Sequence, residues 1–194
     1  MRRTATISRI TNETDVQIEL DIDGTGETQI DTGVGIYDHL LTSFGLHGSF
    51  DLQIRTIGDL HIDEHHTVED TAIALGEAFD AALGDRVGIT RFADVRLPMD
   101  ESVASVAIDA GGRSYTVLTL PFIAPSIGIL GTQMIPHAFE AFASSARMTM
   151  HIAVEGRNDH HMAEACFKAL ARALRQACAL DPRRAGVPST KGVL

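Results

Sequence analysis

Residues 65–70 read His65-His66-Thr67-Val68-Glu69-Asp70, and residues 160–165 read His160-His161-Met162-Ala163-Glu164-Ala165. Each HHxxE stretch opens an apolar pattern with helical spacing. The first continues through Val68, Ala72, Ile73, Leu75, Ala78, Phe79 and Leu83 to the stop signal Gly84-Asp85. The second continues through Leu170, Leu174 and Cys178, with Asp159 placed to cap its start. More than twenty residues upstream of each stands a lone histidine, His39 after Asp38 and His137 after Pro136. The echo spans about half the chain, so it marks a duplicated unit rather than a solenoid of short repeats.

Around these motifs, each half has the same order of patterns. Strand-like alternation covers residues 4–10 and 16–22, with a turn at Thr11-Asn12-Glu13; a short helix follows within 33–45, a strand at 50–57 and a helix over 66–83. The second half has strand patterns in RFADVRLP, SVASVAIDA and RSYTVLTL, a helix over 136–146, a strand at 148–154 and a helix over 159–180. The expected fold is α+β, a duplicated half-domain of strands, helix, strand and long helix, with sheets on one side and helices on the other. The halves are expected at 1–88 and 89–194, packed as one unit.

Composition narrows the function. The 194 residues hold 16 Lys+Arg against 26 Asp+Glu, a net charge of −10, which argues against a nucleic-acid partner. No apolar run approaches the ~18 residues of a spanning helix, and the start, MRRTATISRITNETD, has no apolar signal core. No membrane partner is expected. The two cysteines, Cys166 and Cys178, cannot make a disulfide framework and read as reduced thiols of a cytoplasmic protein.

The doublets carry the chemistry. On a helix His65 and Glu69 are i and i+4, as are His160 and Glu164, so imidazole and carboxylate share a face. Neighbouring residues point about 100° apart, so His66 and His161 serve other directions and can bridge two sites or two subunits. The eight groups, six His and two Glu, contain no thiolate and suit Mn, Fe, Co or Zn, with positions left open for substrate or water. His47, His61 and His151 have no such partners and read as ordinary histidines. The tail, Val187 to Leu194, sets Ser189, Thr190 and Lys191 beside Gly192, a composition that lets hydroxyls, amides and one ammonium approach an oxyanion. Arg91, Arg113 and Lys168 are further cationic candidates.

At RITNET, TGVGIYDHLL, GDLHIDEHHTVEDTAIALGEA, LPMDES, DAGGRSY, HAFEAFA, GRNDHHMAEACFKALARAL and VPSTKGVL the chain resembles the imidazoleglycerol-phosphate dehydratase family, over nearly its whole length. The resemblance implies a ribosomal-protein-S5-domain-2-like duplication, a di-manganese site with two Mn²⁺ per subunit, and a homo-oligomer of 24 subunits with active sites between subunits. It implies removal of water from a small molecule, imidazole glycerol phosphate, to give imidazole acetol phosphate in histidine biosynthesis. By motif, His39, His65, His66, Glu69, His137, His160, His161 and Glu164 are implied as metal ligands and Glu13 as the acid–base. Arg91, Arg113, Lys168, Ser189 and Lys191 are implied as the phosphate grip. The chain departs from the family pattern at GVGIYDHLL, at Ser43 in place of a Gln, at Gly112-Arg113-Ser114-Tyr115 and at Thr132-Gln133-Met134. A metal-storage protein and a metallohydrolase of phosphorylated small molecules are the competing readings.

Overall fold

A computed structural model describes residues 2–192. The first half folds as β1 (Thr4–Ile10), β2 (Thr14–Asp21), β3 (Thr28–Asp31), α1 (Gly35–Gly48), β4 (Asp51–Gly58) and α2 (His65–Leu83). The second folds as β5 (Phe92–Met99), β6 (Ser102–Asp109), β7 (Tyr115–Thr119), the two-residue pair β8 (Ser126–Ile127) and β9 (Leu130–Gly131), α3 (Met134–Ala146), β10 (Thr149–Glu155) and α4 (Asp159–Cys178).

The duplication is written in the sheets. The first has the order β1-β2-β4-β3 and the second β5-β6-β10-β7. In each, a hairpin leads, the third strand pairs antiparallel with the hairpin, and the outer strand (β3 or β7) lies parallel to its neighbour. The buried residues Val16, Ile18 and Leu20 alternate along β2, as Ala104, Val106 and Ile108 do along β6, so one face of each sheet is apolar and the other meets solvent. β3 has only four residues, too few for its alternation to stand out in the sequence.

Within each half the sheet lies on one side and the helices on the other. α2 covers β1 and β2, and α4 covers β5 and β6. The halves then meet helix to helix: α2 packs on α3, and α1 on α4. Phe79 of the first half stands edge-on to Phe142 of the second at 5.5 Å between centroids, and to Phe44 and Phe50 at 6.0 and 5.1 Å. The α2–α3 crossing is close because Gly76 has no side chain; a Cβ there would sit 2.6 Å from the Phe142 carbonyl oxygen. No helix among the described residues is long and apolar enough to cross a membrane.

The start of α4 corrects one expectation. Its cap is Asn158, whose side-chain oxygen accepts from the amides of His160 and His161 at 3.0 and 3.4 Å. Asp159 instead lies in the first turn, and its carboxylate accepts from the amides of Ile123 and Ala124 at 3.1 and 2.6 Å, fastening the segment between β7 and β8.

Candidate metal centre

The first turns of α2 and α4 sit at the same end of the molecule, each beside a helix of the other half. This packing crosses the duplicated motifs. His137, from α3, faces the α2 carboxylate: its Nε2 is 3.2 Å from Glu69 Oε1, and His65 Nε2 is 3.6 Å from Glu69 Oε2. His39, from α1, faces the α4 carboxylate: His39 Nε2 and His160 Nε2 are 3.5 and 3.4 Å from the same oxygen, Glu164 Oε2. Each cluster is therefore two histidines and one glutamate, with the lone histidine supplied by the opposite half. α1 is set in place by Asp38, which accepts from the amide and hydroxyl of Thr32 at 2.8 and 2.6 Å.

The clusters suit a divalent ion. Donors about 2.1 Å from an ion and at right angles to one another lie about 3 Å apart. The separations of 3.2 to 3.6 Å found here are near that value. His137 Nε2 is buried, has no hydrogen-bond partner, and faces Glu69 Oε1 without hydrogen-bond geometry. An orphaned buried nitrogen aimed at a carboxylate is the arrangement a cation resolves. Burial raises the Glu164 pKa, but the Lys168 ammonium 2.8 Å away, with His39 beside it, outweighs that, so the carboxyl is held below its usual range.

The second histidine of each doublet turns away from its own cluster. The His65 and His66 rings are 81° apart, and the His160 and His161 rings 78°. His66 Nδ1 meets Asp59 at 3.0 and 3.2 Å, and His161 Nδ1 meets Glu101 at 2.8 Å. Both imidazoles have raised pKa values, first because of those hydrogen bonds. His161 in turn is the first cause that lowers the Glu101 carboxyl to about 2. Glu13, half-exposed, reaches His66 Nε2 at 3.7 Å, so it stands at the cluster end with its carboxylate outside hydrogen-bond range of that ring. Its turn is pinned from below: the amides of Glu13 and Thr14 donate to Thr11 Oγ1 at 3.1 and 3.0 Å. The Thr14 hydroxyl donates to the buried Asp70, which Arg9 also meets at 2.7 Å.

The cationic candidates fall into two groups. Lys168 stands at the cluster end, with Nζ 2.8 Å from Glu164 Oε1, the carboxylate of the second cluster. The others stand at the far end. Arg91 donates its amide to Ala177 O in the last turn of α4, holds Asp109 through Nε and Nη2 at 2.7 and 3.0 Å, and donates Nη1 to Pro188 O at 2.7 Å. It thereby fixes the tail that carries Ser189 and Lys191. Arg113 is exposed in the β6–β7 connection at the same end, and an open cleft of about 380 Å³ beside it is lined by Arg86, Gly112, Arg147, Val187 and Gly192. The 20 residues of α4 span about 30 Å, which separates these groups from the clusters. Sequence reading missed Asp59, Asp70 and Glu101. Laying LPMDES over RITNET, as the duplication allows, would have found Glu101.

Fold and site together define a duplicated α+β protein with two crossed His–Glu–His constellations of the kind that holds divalent cations. The family model "Imidazoleglycerol-phosphate dehydratase" matches residues 32–174. Relatives of that name from Methanococcoides burtonii and Frankia casuarinae are 54% and 56% identical over 99% and 100% of this chain and the whole of their own length. The crystal structure of the Staphylococcus aureus enzyme of that name matches 93% of this chain and all of its own, with a TM-score of 0.82 at 31% identity. The Pyrococcus furiosus enzyme matches 97% of this chain with a TM-score of 0.83 at 33% identity. The chain belongs to the imidazoleglycerol-phosphate dehydratase family: it is a hydro-lyase, a dehydratase of histidine biosynthesis.

Proposed function

We propose that the chain removes water from imidazole glycerol phosphate to give imidazole acetol phosphate, using two divalent ions, Mn²⁺ in the first instance. The observation that carries this is the crossed pair of clusters, His65–Glu69–His137 and His39–His160–Glu164, each with donors set close to ligand spacing. Those six residues would hold the ions, and His66 and His161, turned outward, would complete the coordination. Bound there, the ions would supply Lewis acidity and hold the substrate ring as imidazolate, an electron sink for loss of hydroxide.

The rest belongs to the chain's own side chains. Glu13 stands at the cluster end, with a carboxylate free to take and return a proton beside the bound ring. Lys168 keeps Glu164 ionised and oriented. Arg113, Ser189 and Lys191 offer donors to a phosphate, and Arg91 holds the tail that presents two of them. A substrate with a three-carbon chain cannot bridge the length of α4. A complete site therefore takes its clusters from one chain and its phosphate grip from another, which supports a homo-oligomer with active sites between subunits. A 24-subunit assembly and a cytoplasmic setting, suited to two buried free thiols, belong to the same proposal.

The test is turnover by the Mn-loaded protein. The acetol product supports the proposal; release of inorganic phosphate makes it a hydrolase, and metal uptake without either product makes it a storage protein. Glu13→Gln should keep its metal and lose activity, and unchanged turnover would remove Glu13 from the mechanism.

A further inference from the structure

The two halves serve as internal controls for each other. Glu13 lies in the β1–β2 turn and Glu101 in the β5–β6 turn, so duplication puts a glutamate beside each HHxxE doublet. The two carboxylates do different things. In the first half, Asp59 takes His66 Nδ1 and Glu13 faces Nε2 at 3.7 Å. In the second, Glu101 itself takes His161 Nδ1 at 2.8 Å, and its other oxygen accepts from the Ser102 hydroxyl at 3.0 Å. The position that corresponds to Asp59, just after the glycine at the strand's end (Gly58 in one half, Gly156 in the other), holds Arg157, whose guanidinium cannot accept a hydrogen bond. Both glycines are tightly covered: a Cβ on Gly58 would strike Thr67, and one on Gly156 would strike Ser102.

An ionised carboxylate only accepts, so Nδ1 of His161 carries a proton and, in the neutral ring, the lone pair lies on Nε2. Asp100, Glu101 and His161 look like a third set of ligands, since their donor atoms lie within 4.8 Å of one another. The histidine presents its protonated nitrogen to that set, however, and a metal needs the lone pair. The set orients a ring rather than binding an ion. Asp100 has φ 47°, in the left-handed region that Asp tolerates, and this tight turn carries Glu101 back over the helix start.

We propose that Glu101 is the positioning residue of His161: it fixes the ring in the Nδ1–H tautomer and aims Nε2 outward as a ready-made metal ligand. The same turn position has thus diverged after duplication, into an orienting carboxylate in one half and a free proton carrier in the other. The use of Nε2 as a ligand rests on the two-ion reading above; the tautomer does not.

The experiment uses full-length protein and two readouts. Long-range ¹H–¹⁵N spectra of the metal-free protein, above the imidazole titration range, should show His161 as the Nδ1–H tautomer. In Glu101→Ala it should revert to the Nε2–H form that free imidazole favours, while Glu101→Gln, which can still accept, keeps Nδ1–H. In Mn²⁺ titrations followed by electron paramagnetic resonance, Glu101→Ala should bind one ion about 10–100-fold more weakly and the other as wild type does. Its circular dichroism should be unchanged, since the residue sits in a surface turn. An Nε2–H tautomer in the wild type, or two ions bound by Glu101→Ala with wild-type affinity, would overturn the proposal. If the wild type binds no Mn²⁺, the two-ion reading fails, while the tautomer still decides what Glu101 does.

Discussion

A mixed oligomer of two crippled chains should regain activity that neither has alone. One chain carries Glu13→Gln, a lesion at the cluster end. The other lacks residues 189–194, a lesion at the grip end. The 20 residues of α4, about 30 Å, lie between the two ends. If every site joins the cluster end of one chain to the grip of another, random equal mixing leaves about a quarter of the sites with both parts intact. The chains are co-expressed with different tags, purified through both, and assayed with Mn²⁺ at substrate concentrations well below KM. Homogeneous Glu13→Gln should fall by about 10²–10⁴-fold, so restoration to about a quarter of wild type stands far above background. Activity no greater than the sum of the two parents would mean that one chain supplies both ends, and would refute their separation along α4.

Removing residues 189–194 should, in the homogeneous enzyme, raise KM strongly and leave Mn²⁺ stoichiometry unchanged; an unaltered KM would make the tail a bystander. The raised imidazole pKa values of His66 and His161 give a pH signature of opposite sign in the two metal states. A raised pKa contributes stability that is fully present below the ordinary imidazole value, about 6.5, and lost as pH rises through the raised one. Metal binding needs neutral rings and improves over the same interval. Metal-free melting temperature should therefore fall, and Mn²⁺ affinity rise, from about pH 6.5 upward; movement in the same direction would contradict the ligand roles. Burial pushes the thiols of Cys166 and Cys178 up to about 12, so neither should react with a thiol reagent in the native protein at pH near 8. Rapid labelling without unfolding would show that the core opens there.

Much of the architecture could be read from local pattern. The α2 and α4 helices announce themselves by long apolar periodicity, and the HHxxE spacing places His65 with Glu69 and His160 with Glu164 wherever a helix forms. What escaped was non-local. His39 and His137 join the opposite halves because α1 packs on α4 and α3 on α2, and no spacing along the chain encodes that crossing. Asp59 and Glu101 sit in turns, where acidic residues are common, and only the fold brings them to an imidazole. Lys168, which the resemblance implies for the phosphate grip, stands one turn after Glu164 on α4, where its ammonium meets that carboxylate. Asn158 and Asp159 are both good caps, and two loop amides from Ile123 and Ala124 decide between them by claiming Asp159.

The proposed chemistry depends on the duplicated motifs crossing to build two ion sites. Metal analysis of the wild type beside the double variants Glu69→Ala/His137→Ala and Glu164→Ala/His39→Ala, each reloaded with Mn²⁺ after chelation, reads that crossing without an intervening assay. About two ions per chain are expected in the wild type and about one in each variant, with a different site lost in each. No tightly bound ion in the wild type, or a full complement in both variants, would be incompatible with crossed sites.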